Sequence, residues 1–200
     1  MCVDDHPIFR QGLAAVLASD QSLELVAEAD TGELGVARFR EFSPDVTLMD
    51  LRLPGLNGID AIAAIRRINA DARVVVLTTE TGDALIERAL AAGARGYALK
   101  GMAWLDLLAT IHAVHAGGTS IPGLVASQIA EHLGDKSLST RELEVLRLIA
   151  NGHRNKSVAN ELSISEDTVK MHVKNTMAKL NANDRTHAVT IAIQRGFISV

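Results

Sequence analysis

The sequence predicts a doubly wound α/β domain followed by an all-α domain of four short helices. In the first part of the chain, short apolar runs rich in β-branched residues alternate with segments of helical periodicity. Strands that are apolar on both faces and separated by helices indicate a parallel sheet covered on both sides. From Ser139 onward the strand pattern is absent and helical periodicity alone remains.

The elements of the predicted α/β domain follow one another as strand and helix. Strands are predicted at residues 1–3, 23–27, 46–49, 74–77 and 96–99. Helices are predicted at residues 7–18, 33–42, 58–69, 83–92 and 103–115. Pro7 suits the first turn of its helix, because the N–H that proline lacks would be unpaired there.

The C-terminal helices are predicted at residues 139–150, 155–162, 166–180 and 184–194. Ser139 and Glu142 have the spacing of a capping box, in which each side chain pairs with the other residue's backbone N–H. A short turn at residues 163–165 joins the second of these helices to the third, which indicates a helix-turn-helix. Turn-forming residues at 117–123 favour a linker, with a short helix at 124–133. The predicted domains are therefore residues 1–116 and 138–200, with a linker at 117–137.

The composition favours a soluble cytoplasmic protein. The chain has 200 residues, of which 48% are hydrophobic, and lacks the run of ~20 apolar residues that a membrane helix needs. The N-terminal residues lack the pattern of a secretory signal. One cysteine cannot form an internal disulfide, and the spacing of a zinc site is absent.

The charge is distributed unevenly along the chain. Residues 1–138 carry 11 basic and 18 acidic side chains, a net charge of −7, whereas residues 139–200 carry 9 and 6, a net charge of +3. This division weakly supports two domains, with polyanion binding assigned to the second.

Polar side chains follow the predicted strands at the edge where an open parallel sheet binds ligands. They are Asp4 and Asp5 after the first strand, Asp50 after the third, Thr78 at the end of the fourth and Lys100 after the fifth. A single charge at such a position is usually solvated, but five suitable residues are hard to explain in that way. Crowded carboxylates favour Mg²⁺, a lysine and a hydroxyl can hold a phosphoryl group, and a carboxylate can be a phosphoryl acceptor.

The motifs around these residues resemble the flavodoxin-like receiver domain of two-component response regulators. The resemblance covers residues 1–116 and rests on Val3-Asp4-Asp5-His6-Pro7, Leu48-Met49-Asp50-Leu51-Arg52-Leu53-Pro54-Gly55-Leu56-Asn57-Gly58, Thr78 and Gly96-Tyr97-Ala98-Leu99-Lys100. Family members usually have more apolar residues before the acidic pair than the three found here. A shorter first strand would weaken both the core and the positioning of Asp4 and Asp5.

The resemblance implies a role for each site residue. Asp50 would be phosphorylated by a sensor histidine kinase, and Mg²⁺ would bind Asp4, Asp5, Asp50 and the backbone carbonyl of Arg52. Thr78 and Lys100 would bind the phosphoryl group. Tyr97 would be the aromatic side chain that changes rotamer on activation, although the sequence alone favours a half-buried strand residue there.

The third C-terminal helix is predicted to have an apolar face and a polar face. The apolar face carries Val169, Val173, Thr176, Met177 and Leu180. The opposite face carries Lys170, Met171 and Lys174, with Asp167 and Ala178. Taken alone, the lysines favour an ordinary solvated surface. The preceding helix and turn favour DNA binding, because a helix-turn-helix places its second helix in the major groove.

The C-terminal part resembles the LuxR-type output domain, and with the receiver it resembles the NarL/FixJ subfamily. The similarity lies in residues 138–146, Gly152, Asn155-Lys156 and residues 168–173. It implies base contacts from Lys170, Met171 and Lys174. It implies phosphate contacts from Asn155, Lys156, Thr168, Asn175 and Lys179. Arg185 would either contact phosphate or support the packing.

The combined hypothesis is a DNA-binding transcriptional response regulator, not an enzyme, that is activated by phosphoryl transfer to Asp50. The unphosphorylated receiver would mask the DNA-binding helix, and phosphorylation would release it and promote a homodimer on paired half-sites. Three alternatives remain open: a phosphorylation-independent DNA-binding regulator with a vestigial receiver, a phosphatase that uses Asp50 as a nucleophile, and a protein-interaction module without DNA binding.

Overall fold

The computed structural model describes residues 1–132, 134–135 and 137–198. These residues form two compact units, the first comprising residues 1–80 and 86–126 and the second residues 81–85 and those from 127 onward. The end of the predicted linker helix at Leu133, the linker residue Lys136, and Ser199 and Val200 of the predicted C-terminal domain lie outside the described residues.

The first unit contains a five-stranded parallel sheet with the strand order β2-β1-β3-β4-β5. The strands are β1 (Cys2–Val3), β2 (Glu28–Ala29), β3 (Thr47–Met49), β4 (Val74–Thr78) and β5 (Gly96–Leu99). Residues 74–76 of β4 are completely buried, because helices cover both faces of the sheet. The predicted doubly wound α/β fold is confirmed.

Five helices of the first unit connect and cover the strands. They are α1 (Pro7–Ala18), α2 (Gly32–Phe42), α3 (Gly58–Ile68), α4 (Asp83–Ala91), which continues from residues 83–85 of the second unit, and α5 (Trp104–His115). Pro7 lies in the first turn of α1, as predicted. The side chains of Thr31 and Asn57 cap α2 and α3 by accepting hydrogen bonds from backbone N–H groups, which satisfies donors that a helix start leaves unpaired.

The second strand lies later in the chain than predicted. The apolar run at residues 23–27 is not part of a strand, although the carbonyl of Ala27 accepts a hydrogen bond of 3.0 Å from the N–H of Cys2, and the strand β2 comprises Glu28 and Ala29. β1 offers Cys2 and Val3 for pairing, in register with Glu28 and Ala29. A strand is defined by the backbone groups of its partner as well as by its own side chains. The apolar run alone therefore predicts β2 too early in the chain.

The predicted linker begins with a segment that pairs with the sheet edge. Ser120 forms an isolated bridge to Gly96, and its carbonyl accepts a hydrogen bond of 2.9 Å from the N–H of Tyr97. The short helix α6 (Gly123–Glu131) follows. The described part of the predicted linker therefore contains ordered structure.

The second unit contains α7 (Thr140–Ala150), α8 (Asn155–Leu162), α9 (Glu166–Lys179) and α10 (Arg185–Gln194). The predicted capping box is present, because Ser139 and Glu142 each accept a hydrogen bond from the other's backbone N–H. Ser163 adopts a left-handed conformation with φ of 54° and ends α8, and Ser165 caps α9. The predicted four-helix domain is confirmed. None of the described helices is long and apolar enough to cross a lipid bilayer.

Candidate functional site

The sheet brings Asp4 and Asp50 together where its winding direction reverses. β1 and β3 are neighbours, and the N–H of Asp50 donates to the carbonyl of Val3 at 2.9 Å. Asp4 and Asp50 follow directly after these two strands, and both are almost completely buried. Gly58 permits this packing, since a Cβ there would lie 2.0 Å from the carbonyl oxygen of Asp50. This edge is where open α/β sheets bind ligands.

Lys100 connects the two buried carboxylates. Its Nζ lies 2.7 Å from Oδ2 of Asp50 and 2.8 Å from Oδ2 of Asp4. The side chain of Lys100 is 9% exposed, and its backbone N–H donates to the carbonyl of Thr78 at 2.9 Å. The ammonium group therefore balances part of the negative charge that the sheet concentrates at this edge.

Burial and the ion pairs with Lys100 act in opposite directions on the pKa values of the site. Burial raises the pKa of Asp50 above its usual range, although the hydrogen bond and charge of Lys100 act in the opposite direction. Burial lowers the pKa of Lys100, but hydrogen bonds to Asp4 and Asp50 outweigh it and the net shift is upward. Lys100 thus stays charged at neutral pH and is the main group that favours an ionised Asp50.

The acidic cluster also contains His6, which sequence reasoning did not select. One ligand atom from each of Asp4, Asp5, His6 and Asp50 lies within 4.8 Å of the others. Nδ1 of His6 is 2.7 Å from Asp5 and 3.2 Å from Asp4. Its position between Asp5 and Pro7 in the acidic motif could have indicated that His6 belongs to the site.

Arg52 and Glu80 border the site on the side of β4. The N–H of Arg52 donates to Oδ1 of Asp50 at 3.1 Å, and its guanidinium group pairs with the carboxylate of Glu80. The N–H of Glu80 donates to Oγ1 of Thr78 at 3.2 Å, which places the buried Thr78 hydroxyl beside the site. Glu80 had no signal in the sequence pattern, because its pairing with Arg52 depends on the fold.

Tyr97 lies completely buried, so the half-buried position favoured by the sequence alone is wrong. Its hydroxyl donates to the carbonyl of Glu80 at 2.8 Å. The side chain therefore contacts the segment that follows Thr78. Its role as a switch stays a prediction.

An open cavity of about 700 Å³ lies above Asp50. Its lining comprises His6, Ile8, Phe9, Asp50, Arg52, Thr79, Glu80 and Lys100. Ile8 is 84% exposed at its rim. The carboxylate of Asp50 is thus buried in the fold and accessible from one side.

The helix α9 divides its side chains as predicted. On the predicted apolar face, Val169, Thr176 and the following Leu180 are buried, and Val173 and Met177 are half-buried against the core. Met171 is 51% exposed, and Lys170 and Lys174 are exposed on the same side. The exposed face of α9, defined by Asp167, Lys170, Met171, Lys174 and Ala178, points away from the bundle.

The other residues predicted to contact phosphate lie on α8 and α9 and differ in solvent exposure. Lys156 and Asn175 are exposed, whereas Asn155 and Thr168 are half-buried. The Thr168 hydroxyl is hydrogen-bonded to the Ser165 hydroxyl at 2.8 Å.

Lys179 differs from the other predicted DNA-binding cations because it is held by the bundle. Its Nζ lies 2.7 Å from the buried carboxylate of Glu142 and 3.1 Å from the carbonyl of Ser137. Arg185 donates to the carbonyl of His153 at 3.2 Å, which is a packing contact. These two cations therefore have partners within the second unit.

Comparison with known proteins assigns both parts of the chain to families. Residues 1–112 match the response regulator receiver domain, and residues 136–192 match the luxR family of bacterial regulatory proteins. The chain is a NarL/FixJ-type response regulator.

Full-length relatives agree with this assignment. The transcriptional regulatory protein LiaR of Bacillus subtilis (strain 168) is 38% identical, over 96% of this chain and 95% of LiaR. The nitrate/nitrite response regulator protein NarL of Escherichia coli (strain K12) is 34% identical, over 94% and 91%. RcsB from Salmonella enterica serovar Typhimurium, bound to promoter P1flhDC with phosphomimetic BeF3⁻, has a TM-score of 0.73 and 28% identity, over 95% of each chain.

This response regulator therefore combines a receiver domain with a LuxR-type DNA-binding domain, and its relatives are transcriptional regulators. The assignment favours the predicted DNA-binding regulator over a phosphatase or a protein-interaction module without DNA binding.

The acidic pocket of the receiver has the donor set that suits Mg²⁺. Asp4, Asp5 and Asp50 supply carboxylate oxygens, which are the ligands that this ion prefers. Oδ2 of Asp4 is buried, and the ammonium of Lys100, at 2.8 Å, is the cation that faces it. The residues present fit the cation.

Proposed function

We propose that Asp50 is the residue of this response regulator that a sensor histidine kinase phosphorylates. One observation carries the proposal: Asp50 is a buried carboxylate, paired with Lys100, at the base of an open cavity. Burial keeps water from solvating the carboxylate fully, and the open side admits a phosphoryl donor. The phosphorylation state of Asp50 then controls DNA binding by the LuxR-type domain.

In the proposed reaction, a carboxylate oxygen of Asp50 attacks the phosphorus of a phosphohistidine. The new O–P bond forms as the N–P bond breaks, and the histidine nitrogen leaves with the bonding electron pair and takes up a proton from solvent. Lys100 and the hydroxyl of Thr78 bind the oxygens of the transferred group. Since the ammonium of Lys100 already lies 2.7 Å from Asp50, it is positioned before the donor arrives.

Asp4, Asp5 and Asp50 would hold Mg²⁺, with the backbone carbonyl of Arg52 as a further ligand. The bound cation supplies positive charge that offsets the repulsion between the carboxylates and the phosphoryl oxygens. Asp4 would have to exchange its ion pair with Lys100 for the cation, which frees Lys100 to face the phosphoryl group. Tyr97 would change rotamer once Thr78 binds that group.

The exposed face of α9 would enter the major groove of double-stranded DNA. Lys170 and Lys174 would donate to guanine O6 and N7, and Met171 would contact a thymine methyl group. Asn155, Lys156, Thr168 and Asn175 would bind phosphates. Lys179 was predicted to do the same, but its ammonium must first leave Glu142. Activation would favour a homodimer on paired half-sites.

Binding of the cation can be followed by Trp104 fluorescence. Nζ of Lys100 lies 5.1 Å from the centre of the Phe9 ring, and the Phe9 and Trp104 rings are 5.7 Å apart. A shift of Lys100 therefore changes the surroundings of the indole. We expect millimolar Mg²⁺ to change the Trp104 emission of the wild type, and Asp4→Asn to remove the response.

The covalent step is tested with acetyl phosphate and Mg²⁺ on the full-length protein. We expect one acid-stable, alkali-labile phosphate per chain by intact mass, absent in Asp50→Asn. The variant Asp5→Asn keeps the acceptor and loses one proposed Mg²⁺ ligand, so we expect incorporation that is slower than in the wild type but still detectable. Equal incorporation in Asp50→Asn and the wild type would refute the assignment, and no incorporation in the wild type would favour a vestigial receiver.

A further inference from the structure

The exposed face of α9 carries a carboxylate among its cations. Asp167 lies in the first turn of the helix, three residues before Lys170, four before Met171 and seven before Lys174. These spacings place all four side chains on one side of a helix. The side chain of Asp167 is 89% exposed, and its Oδ1 lies 2.9 Å from Nζ of Lys170.

A carboxylate at this position opposes the binding of DNA phosphates. Non-specific DNA binding depends on unpaired cations near the backbone, and Asp167 cancels the charge of Lys170. An acidic residue at a helix start does stabilise the helix dipole. Glu166 already supplies a negative charge in the same turn, and it has no ion pair with Lys170, so the dipole does not by itself require a second carboxylate on the exposed face.

The donor and acceptor of the Lys170–Asp167 pair match the groups that a G·C base pair presents in the major groove. Lys170 presents a donor beside the acceptor of Asp167, with a separation of 2.9 Å. In the major groove, a G·C base pair presents the guanine O6 acceptor beside the cytosine N4 donor. Lysine contacts guanine O6 and N7, and aspartate accepts from cytosine N4. The N-terminal residues of a helix in the groove are those that reach base edges.

We propose that Asp167 and Lys170 read a G·C base pair together, and that Asp167 is a specificity-determining residue of this regulator. The proposal deepens the DNA-binding function proposed above and depends on it. In the free protein, Asp167 holds Lys170 and reduces its attraction to phosphates. At a G·C base pair, the cytosine N4 group donates to the Asp167 carboxylate in place of Lys170. At other base pairs the carboxylate has no such donor, and binding is weaker.

Electrostatics support a charged pair at neutral pH. The hydrogen bond with Lys170 lowers the pKa of the Asp167 carboxyl below its usual range. The same hydrogen bond raises the pKa of Lys170. Donor and acceptor therefore keep the protonation states that the G·C edge requires.

The test is selection of DNA sequences from a random duplex library by the full-length wild type, Asp167→Ala and Glu166→Ala, each with and without a phosphoryl donor. Glu166→Ala is the matched control, because it removes the same charge from the same turn. We expect the wild type and Glu166→Ala to select one motif. Asp167→Ala should lose the preference at one G·C position, with its ratio of affinities for the selected and a scrambled duplex reduced roughly tenfold.

Two negative outcomes are distinguishable. If Asp167→Ala selects the wild-type motif with the affinity ratio of Glu166→Ala, Asp167 is only a helix-terminal charge, and the DNA-binding function stands. If the wild type selects no motif, with or without phosphoryl donor, the proposed function fails and the role of Asp167 fails with it.

Discussion

At the scale of single residues, Lys100 determines the balance of charge at the receiver site. Its ammonium lies between the buried carboxylates of Asp4 and Asp50. Removing one partner of a buried ion pair leaves uncompensated charge and is strongly destabilising. The same ammonium is the proposed ligand of the phosphoryl group, so one substitution affects both stability and phosphorylation.

The variant Lys100→Met should lower the free energy of unfolding of the receiver by roughly 3 kcal/mol in EDTA. Mg²⁺ should reduce that loss, because the cation replaces the missing positive charge. Urea unfolding followed by Trp104 fluorescence measures both effects. Phosphate incorporation from acetyl phosphate should fall at least roughly tenfold.

Arg95→Met is the control for Lys100→Met. It removes a cation of the same unit that lies 4.0 Å from an exposed carboxylate, that of Asp71, and should cost less than about 1 kcal/mol. A stability loss in Lys100→Met that is equal with and without Mg²⁺ would contradict a cation site at Asp4.

The site residues differ in how well the sequence predicts them. Asp4, Asp5, Asp50 and Lys100 follow strands, Thr78 ends one, and the order of strands brings them together, so the pattern was sufficient. His6 and Glu80 join the site through side-chain directions and through a pairing with Arg52 that spans 28 residues of sequence. The acidic motif could have indicated His6, which directly follows Asp5. The pairing of Glu80 with Arg52 depends on the folded chain and has no local period that a sequence pattern could reveal.

At the scale of secondary structure elements, the lysines of α9 fall into two groups, exposed and paired. Lys170 and Lys174 are exposed, whereas Lys179 pairs with Glu142 at 2.7 Å. We expect Lys170→Ala and Lys174→Ala each to weaken binding to the selected DNA by about 1–3 kcal/mol, without a large change in stability. Titration of a fluorescent duplex, with urea unfolding in parallel, measures this.

The variant Lys179→Ala is the comparison on the same helix. Because its ammonium is held by Glu142, we expect a smaller loss of DNA affinity and a larger loss of stability than for Lys170→Ala. The opposite order would mean that Lys179 leaves Glu142 and contacts phosphate, as the resemblance implied.

The start of α7 makes the stability of the helical unit dependent on pH. Burial raises the pKa of Glu142, but hydrogen bonds from Lys179 and Ser139 outweigh it and the net shift is downward. A carboxyl whose pKa is lower in the folded state contributes stability above its usual value of 4.5. That contribution is lost as the pH falls through the lowered folded value.

We therefore expect Glu142→Gln to destabilise the helical unit by about 1–2 kcal/mol at neutral pH, and by less at about pH 3. Urea unfolding followed by far-UV circular dichroism measures the difference. Glu144→Gln, on the same helix but 40% exposed and paired with Arg141, is the control. A loss of stability independent of pH would contradict the role of the Glu142 carboxylate.

The elements themselves were predictable wherever their own residues determine them. The helix α8 and the strand β5 have the predicted bounds, because the apolar pattern that defines them is local. The strand β2 was predicted too early in the chain, because its position depends on which residues pair with β1. The capping box at Ser139 was predictable, but the added pairing of Glu142 with Lys179 joins residues of different helices.

At the scale of the whole molecule, a receiver domain and a LuxR-type DNA-binding domain occur in one chain. The proposed control requires that phosphorylation of Asp50 changes the free energy of DNA binding. A phosphoryl group can shift the population only by its different interaction with the two states of the receiver. A change of about 1.4 kcal/mol in the coupling free energy corresponds to a tenfold change in DNA affinity.

The most direct measurement is the affinity of the full-length protein for its selected duplex, with and without acetyl phosphate, in the wild type and in Asp50→Asn. We expect the donor to raise the affinity of the wild type roughly tenfold or more and to leave that of Asp50→Asn unchanged. Equal affinities of treated and untreated wild type, with phosphate shown on Asp50 by mass, would contradict phosphorylation-controlled DNA binding.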